Sequence, residues 1–349
     1  MKLKNFAIVV LATLGMHQVM AADTTLVSAK TAAAPMLDAM AGSDWDKATP
    51  LEVTVNKTPY KPNNGYPGMQ ATKVTMRAMH DSDNLYMLIQ YDDPTKSIER
   101  FPWIKQADGS WKQKADKDST KHENKFYEDK FAVLWDINAR GFGKKGCAAA
   151  CHMAKDGMNE GVKDTAPGRK FTSRDGQTID MWHWKSVRSW PVGQIDDQYI
   201  DSVKDPKKNK NWGRHGDTKT GGGYKNNKTK DGKMPAFMAK GGPTGDYWLM
   251  KSDAVPFVDT FKEGDRIPGI VVSTFEGPRG DITAKADWKD GVWTIELQRK
   301  LKTTGENSDT QDIQFTDMGK SYSFGVAVFD NSQINHIYHE GVMKLKFAK

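Results

Sequence analysis

An antiparallel β-sandwich with long loop insertions is the all-β fold that the sequence predicts, and three observations carry it. Short segments with alternating or continuously apolar residues recur along the chain. Turn formers separate them, as at Asp83-Asn84 and Asp290-Gly291. No long segment with a 3.6-residue period stands out beyond the N-terminus.

Taken in order, the predicted strands begin with residues 51–56, 74–79, 85–91 and 131–137. Residues 180–185 then read as extended, with Met181, His183 and Lys185 on one side and Trp182 and Trp184 on the other. Residues 270–275 and 282–288 follow. Residues 291–299 alternate cleanly, so Trp293, Ile295 and Leu297 face a core while Thr294, Glu296 and Gln298 point outward. Residues 322–329 are apolar on both faces, as in a central strand. Residues 342–347 place Met343, Leu345 and Phe347 together. Long irregular stretches at 94–127, 153–178 and 201–247 are expected as insertions at the ends of the sandwich, where loops of that size are usually functional.

Residues 1–21 read as a secretory signal peptide. Lys2 and Lys4 give a positive start, an apolar core runs from Phe6 to Gly15, and Val19-Met20-Ala21 offers small residues near a cleavage point at Ala21 or Ala22. The core is too short to span a bilayer, which disfavours an uncleaved anchor. A single periplasmic domain over residues 22–349, with no transmembrane segment, is therefore expected. Its 38% hydrophobic content suffices for a core, and its eleven tryptophans suggest large packing anchors or the wall of a flat cofactor. Ten Lys or Arg against three Asp fall between Lys204 and Lys233. Residues 204–247 are thus expected as a basic, flexible insertion: a solvated loop, or an arm that steers an acidic partner. An exported chain makes nucleic acid a poor partner.

Both cysteines of the chain sit in Gly146-Cys147-Ala148-Ala149-Ala150-Cys151-His152. Two thiols can add across the two vinyl groups of a haem, and the histidine beside the second thiol then falls under the iron. Three residues separate the cysteines where c-type attachment usually has two, so the match is to a variant. Small alanines between the thiols leave room for a porphyrin edge. A small disulfide and half of a metal site are the other readings; the chain has no further Cys and no His pair at finger spacing. On the haem reading, Cys147 and Cys151 hold one haem c, His152 is the proximal ligand, and Trp182 and Trp184 flank the ring. The sixth ligand is sought among His336, His183 and His339, with Met158 and Lys185 behind them. In an extended segment His336 and His339 lie on opposite faces, so they should not both reach the iron. His80, His122 and His215 are read as surface residues.

The order of several segments also resembles the ethylbenzene-dehydrogenase-type haem-binding family. These are Asn84-Leu85-Tyr86-Met87-Leu88-Ile89-Gln90-Tyr91-Asp92-Asp93-Pro94-Thr95, then Glu128-Asp129-Lys130-Phe131-Ala132-Val133-Leu134-Trp135, Met181 to Arg188, and Phe324-Gly325-Val326-Ala327-Val328-Phe329-Asp330. The resemblance runs from Asp44 onward and implies a β-sandwich with one haem in a pocket. In the molybdoenzyme subunits of that family the haem is b-type, held by a Met and a Lys without covalent bonds. Cys147, Cys151 and His152 make this chain similar to a c-type branch. The resemblance implies a redox partner, either a membrane cytochrome b or a molybdoenzyme subunit, and the thiols point to a free-standing cytochrome or a domain serving the former.

Two function classes stay open at this stage. One is a monohaem electron carrier with a closed iron. The other is a small-ligand sensor or haem enzyme with an open iron position, for which Arg188 and His183 are possible distal groups. A carbohydrate-binding sandwich, with exposed tryptophans as sugar platforms, fits the Trp count but not the cysteine motif.

Overall fold

The computed structural model describes residues 24–59, 65–118, 121–152, 158–159, 162–163, 169–243, 245 and 247–349. The expected signal peptide at 1–21 lies outside the described residues. Thirteen strands form one continuous sheet. They are β1 (Thr25–Lys30), β2 (Leu51–Val55), β3 (Thr72–His80), β4 (Asn84–Asp92), β5 (Lys130–Asp136), β6 (Ile179–Lys185) and β7 (Asp196–Ile200). The remainder are β8 (Arg214–Gly216), β9 (Thr283–Lys289), β10 (Val292–Lys300), β11 (Tyr322–Phe329), β12 (Ile337–Tyr338) and β13 (Met343–Phe347). Their order is β8-β7-β6-β5-β11-β13-β1-β3-β4-β10-β9, with β2 beside β3 and β12 beside β11.

This sheet folds back on itself at β13 and β1, giving two layers. Apolar side chains of β5, β6 and β11 meet those of β3, β4 and β10 in one core. Trp184 meets Trp293 across it at 4.8 Å between ring centroids, and Tyr91 stacks on Phe131 at 5.5 Å. The sandwich is mixed rather than purely antiparallel, because β1 runs parallel to both β13 and β3. No alternation pattern distinguishes those two directions, since the side-chain period is 2 in either.

All ten extended segments expected from the sequence are strands, with shifts of a residue or two at their ends. The Trp293, Ile295 and Leu297 face is fully buried, as is the Met343 and Leu345 face. Glu296 points away from the core as expected, yet it is buried. Backbone N–H groups of Asp38, Ala39 and Ala41 and the Trp45 indole donate to its carboxylate, so the N-terminal segment covers this outer face. The basic segment 204–247 departs from the expected free loop. It supplies β8 to the edge of the main sheet, and Gly221–Asn226 pairs with Ile270–Glu276. No helix among the described residues is long and apolar enough to cross a membrane.

Candidate cofactor site

The side chains of β5, β6, β7 and β11 alternate between the core and an opposite, outer face. Phe131, Val133 and Trp135 point to the core, while Lys130, Ala132 and Leu134 point outward. On β6, Trp182 and Trp184 take the core side, and Met181, His183 and Lys185 the outer side. A cavity of about 570 Å³ stands on that outer face. Met181, His183 and Lys185 line it, as the period-2 reading of this segment expects. Trp182 and Trp184 lie on the other side of the sheet, packed against Trp135 and Trp293. The expectation that they flank a ring in the cavity is therefore corrected: the same alternation that turns Met181 to the cavity turns them away.

The cavity has two chemically distinct parts. Beside the main chamber lies a small apolar slot of about 20 Å³, lined by Ala132, Leu134, Cys147, Met181, Ala327 and Phe329. Cys151, Lys170 and His336 belong to both the slot and the larger chamber. Among the described residues, ten Lys and Arg side chains line the chamber and no carboxylate does. Two carboxylates brace it from behind. Glu128 pairs with Arg188 at 2.5 Å, and Asp196 with Arg279 at 2.6 Å and with Lys185. The excess positive charge is visible in Tyr224. Burial opposes its ionisation, but Lys185, Arg188 and Arg279 still pull its phenol below the ordinary value. Burial pushes Lys130 well below the usual lysine range, with Arg188 adding to the effect.

The cysteine loop roofs the slot. Gly141, in the left-handed region, opens the short helix Phe142–Lys145, and Cys147 lies in the 3-10 turn Gly146–Ala149. Gly146 has positive φ, and a Cβ there would collide with the Gly341 carbonyl. A Cβ at Gly325 on β11 would come within 2.6 Å of Cys147 Sγ, so glycine lets the thiol rest on the strand. Burial, with a smaller contribution from Cys151, pushes the Cys147 thiol up to about 12. It is a neutral thiol in an apolar slot, and both cysteines are free.

The histidines divide clearly. The strand Cys151–His152 pairs with Arg169–Lys170. Alternation there brings Cys151 to the cavity, while His152 stacks on Phe171 at 3.6 Å and its Nε2–H donates to the Phe171 carbonyl at 3.1 Å. His152 does not line the cavity. His336 and His183 do, both next to Phe329, with ring centroids 4.7 Å and 5.6 Å from it. His336 Nδ1 lies 2.7 Å from the Ile334 carbonyl. A carbonyl only accepts, so Nδ1 carries the proton and Nε2 keeps a lone pair. Burial brings His336 down to about 3, so the ring is neutral near pH 7. His183 Nδ1 faces Gln198 Oε1 at 3.4 Å, and its buried Nε2 has no hydrogen-bond partner.

His339 does not line the cavity; its backbone N–H donates to Val326. Met158 is exposed. His122 lines the chamber and His80 is buried against Ser28 Oγ at 3.0 Å, correcting their reading as surface residues. His215 stacks on Tyr199 and pairs with Asp201. The sequence reading missed the chamber cations Lys130, Arg214 and Arg279. They come from separate strands and loops, and no spacing announces them. None of the eleven tryptophans is fully exposed; Trp190, Trp248 and Trp288 are half-buried and the other eight are buried.

The sequence matches the family model described as Ethylbenzene dehydrogenase over residues 42–341. Among solved structures the chain is similar to a family 9 carbohydrate-binding module of Caldicellulosiruptor kristjanssonii in complex with glucose, at 8% identity and a TM-score of 0.33, covering 93% of this chain and 95% of that one. The same module with cellotriose gives 11%, 0.32 and the same coverage. A putative carbohydrate-binding protein of Bacteroides uniformis gives 9% and 0.33, covering 93% of this chain and 99% of that one. No curated protein matches the sequence.

Proposed function

From the premise that the chain belongs to the ethylbenzene dehydrogenase family, we propose that it is a periplasmic monohaem c-type cytochrome that passes electrons between a membrane or enzyme redox partner and another acceptor. The observation that carries this reading is the amphiphilic cavity. Haem has an apolar body with two vinyl groups at one edge and two carboxylates at the other. The cavity pairs an apolar slot, edged by both thiols, with a chamber rich in cations. Cys147 and Cys151 would hold the vinyl edge as thioethers. Lys185, Arg188 and Arg214 would face the propionates, with Glu128 and Asp196 keeping the first two in place.

Bound haem would supply one-electron chemistry at its iron. The chain offers three imidazoles toward it. His152 is adjacent to the attachment site but must leave its stack on Phe171 to reach the cavity. His336 and His183 already present Nε2 lone pairs within it. Both His336 and His183 are buried, which favours a closed centre that carries electrons over one that turns over substrate. Lys207 and Lys208 are exposed on the basic segment, and Lys210 and Lys219 stand at the cavity itself. An acidic redox partner would be guided to that side.

The test is expression with a c-type maturation system, followed by a denaturing gel and a pyridine haemochrome spectrum. Haem should stay with the chain through denaturation, Cys147→Ser or Cys151→Ser should shift the haemochrome band as one thioether replaces two, and the double variant should release the haem. A colourless wild-type protein, or covalent haem retained by the Cys147→Ser, Cys151→Ser double variant, would overturn the proposal.

A further inference from the structure

Three strand ends gather three carboxylates at one end of the sandwich. Asp93 follows β4, Asp129 precedes β5 and Asp330 follows β11. One oxygen from each lies within 4.8 Å of the others. That span matches ligands on opposite sides of a cation bonded at about 2.3–2.6 Å. Asp93 and Asp129 are fully buried.

The donors present do not satisfy this group. Asp93 Oδ1 accepts from the Thr95 N–H and hydroxyl, but its Oδ2 is buried with no partner. Asp129 accepts from the Ser97 and Asn331 N–H groups and from the Trp293 indole. Asp330 shares the Thr95 hydroxyl with Asp93 and also meets the Tyr66 hydroxyl. An independent group points the same way. Tyr91 is fully buried, its hydroxyl has no hydrogen-bond partner, and the charges acting on it are these three carboxylates. A hydroxyl orphaned beside a concentration of anionic oxygen is satisfied when a cation or its water occupies the space between them.

We propose that Asp93, Asp129 and Asp330, with the Tyr91 hydroxyl beside them, form a binding site for one calcium ion. Burial and repulsion from Asp330 push Asp93 up to about 7, and burial and Asp93 push Asp129 well above the usual carboxylate range. A divalent cation relieves both penalties. Oxygen-only donors select a hard cation, and a dry, buried setting favours calcium over magnesium, which dehydrates reluctantly. A second acidic group, Asp197, Asp217 and Asp312, differs in holding an internal counterion: the Arg299 guanidinium lies 3.7 Å from Asp312 and 3.6 Å from nearby Asp180. The calcium site would tie β4 in one layer to β5 and β11 in the other. It adjoins the cavity, since Asp129 sits between Glu128, which holds Arg188, and Lys130, which lines the chamber. The site does not depend on any porphyrin being bound.

The experiment uses the full chain stripped with a chelator and titrated with terbium, exciting tryptophan. Trp293 Nε1 lies 3.2 Å from Asp129 Oδ2, close enough to sensitise the ion's emission. We expect saturable emission displaced by calcium, and a calcium-dependent rise in Tm of about 5 °C. Asp330→Asn and Asp93→Asn should each weaken calcium binding on the order of tenfold or more by removing a charged ligand. Asp217→Asn should leave it unchanged. A wild-type chain with no saturable terbium signal overturns the assignment whatever the variants do. So does binding that survives Asp330→Asn and Asp93→Asn, or that is lost in Asp217→Asn.

Discussion

The strand Ile179–Lys185 holds the molecule's two characters on its two faces. Every residue of it is buried. On the core side Trp182 lies 5.0 Å from Trp135 and Trp184 4.8 Å from Trp293, and the Trp182 indole donates to Asp180 at 3.0 Å. On the outer side Met181, His183 and Lys185 face a cavity of about 570 Å³. His183 Nε2 lacks a partner, and Lys185 is held by Asp196 alone among the carboxylates. Burial is equal on both sides, so burial does not separate core from site. The difference is filling rather than hydrogen bonding: Trp135 and Trp184 on the core side also keep unpartnered indole N–H groups, yet that face packs ring against ring, while the outer face borders a cavity.

If that contrast holds, Trp182→Ala should be the most destabilising change, at about 3–5 kcal/mol in urea unfolding, while any bound haem keeps its visible spectrum. A folded Trp182→Ala protein with an altered Soret band would break the comparison. Asp196→Asn should cost about 3 kcal/mol, because it leaves the buried Lys185 and Arg279 without their carboxylate. The pH dependence has a definite sign. Burial resists the charged form of Asp196, but Lys185 and Arg279 hold its carboxyl well below the ordinary value. Its contribution is therefore complete above the unfolded carboxylate pKa of about 3.9 and is lost as pH falls further. Unfolding free energies measured from pH 7 to pH 3 should drop at the acid end in wild type and drop less in Asp196→Asn.

Much of the sandwich was legible because strand alternation is written in neighbouring residues. Trp293-Thr294-Ile295-Glu296-Leu297 states which side is inside without any knowledge of the partner strand. The same rule placed Met181, His183 and Lys185 on one face, but could not say which face was the core, and so put the tryptophans beside the ring. Strand β7 was missed because Asp196-Asp197-Gln198 reads as loop. Its two acids are buried by what packs on them from elsewhere: Lys185 and Arg279 meet Asp196, and Asp197 lies among Asp217 and Asp312. The basic window was read as a solvated arm, yet Arg214 on β8 lines the cavity and reaches Gln198 at 3.1 Å. Composition reports charge but not the geometry that turns one cation inward and leaves Lys207 and Lys208 outside. The thiol pair was visible from spacing alone. The turn of His152 toward Phe171 was not, because it depends on pairing with a segment distant in the loop.

The histidines give a smaller and more selective effect. His336→Ala should convert a low-spin visible spectrum to high-spin while shifting stability by less than about 1.5 kcal/mol, since its one recorded hydrogen bond is to a carbonyl that can find water. His183→Ala should leave the spectrum low-spin. The reverse result would move the iron-facing role to His183, whose Nε2 is the more fully enclosed of the two.

Charge at the rim should matter least for stability and act on rate instead. Exposed Lys207 and Lys208 bury no surface, so Lys207→Glu with Lys208→Glu should leave unfolding unchanged within about 0.5 kcal/mol. Electron exchange with an acidic partner should nevertheless slow several-fold at low salt, because long-range attraction governs encounter where the screening length exceeds about 10 Å. Raising the salt concentration should slow the wild type toward the double variant until the two rates meet. If the two rates already agree at low ionic strength, steering belongs to the inward-facing cations of the chamber, and the basic rim has no part in docking.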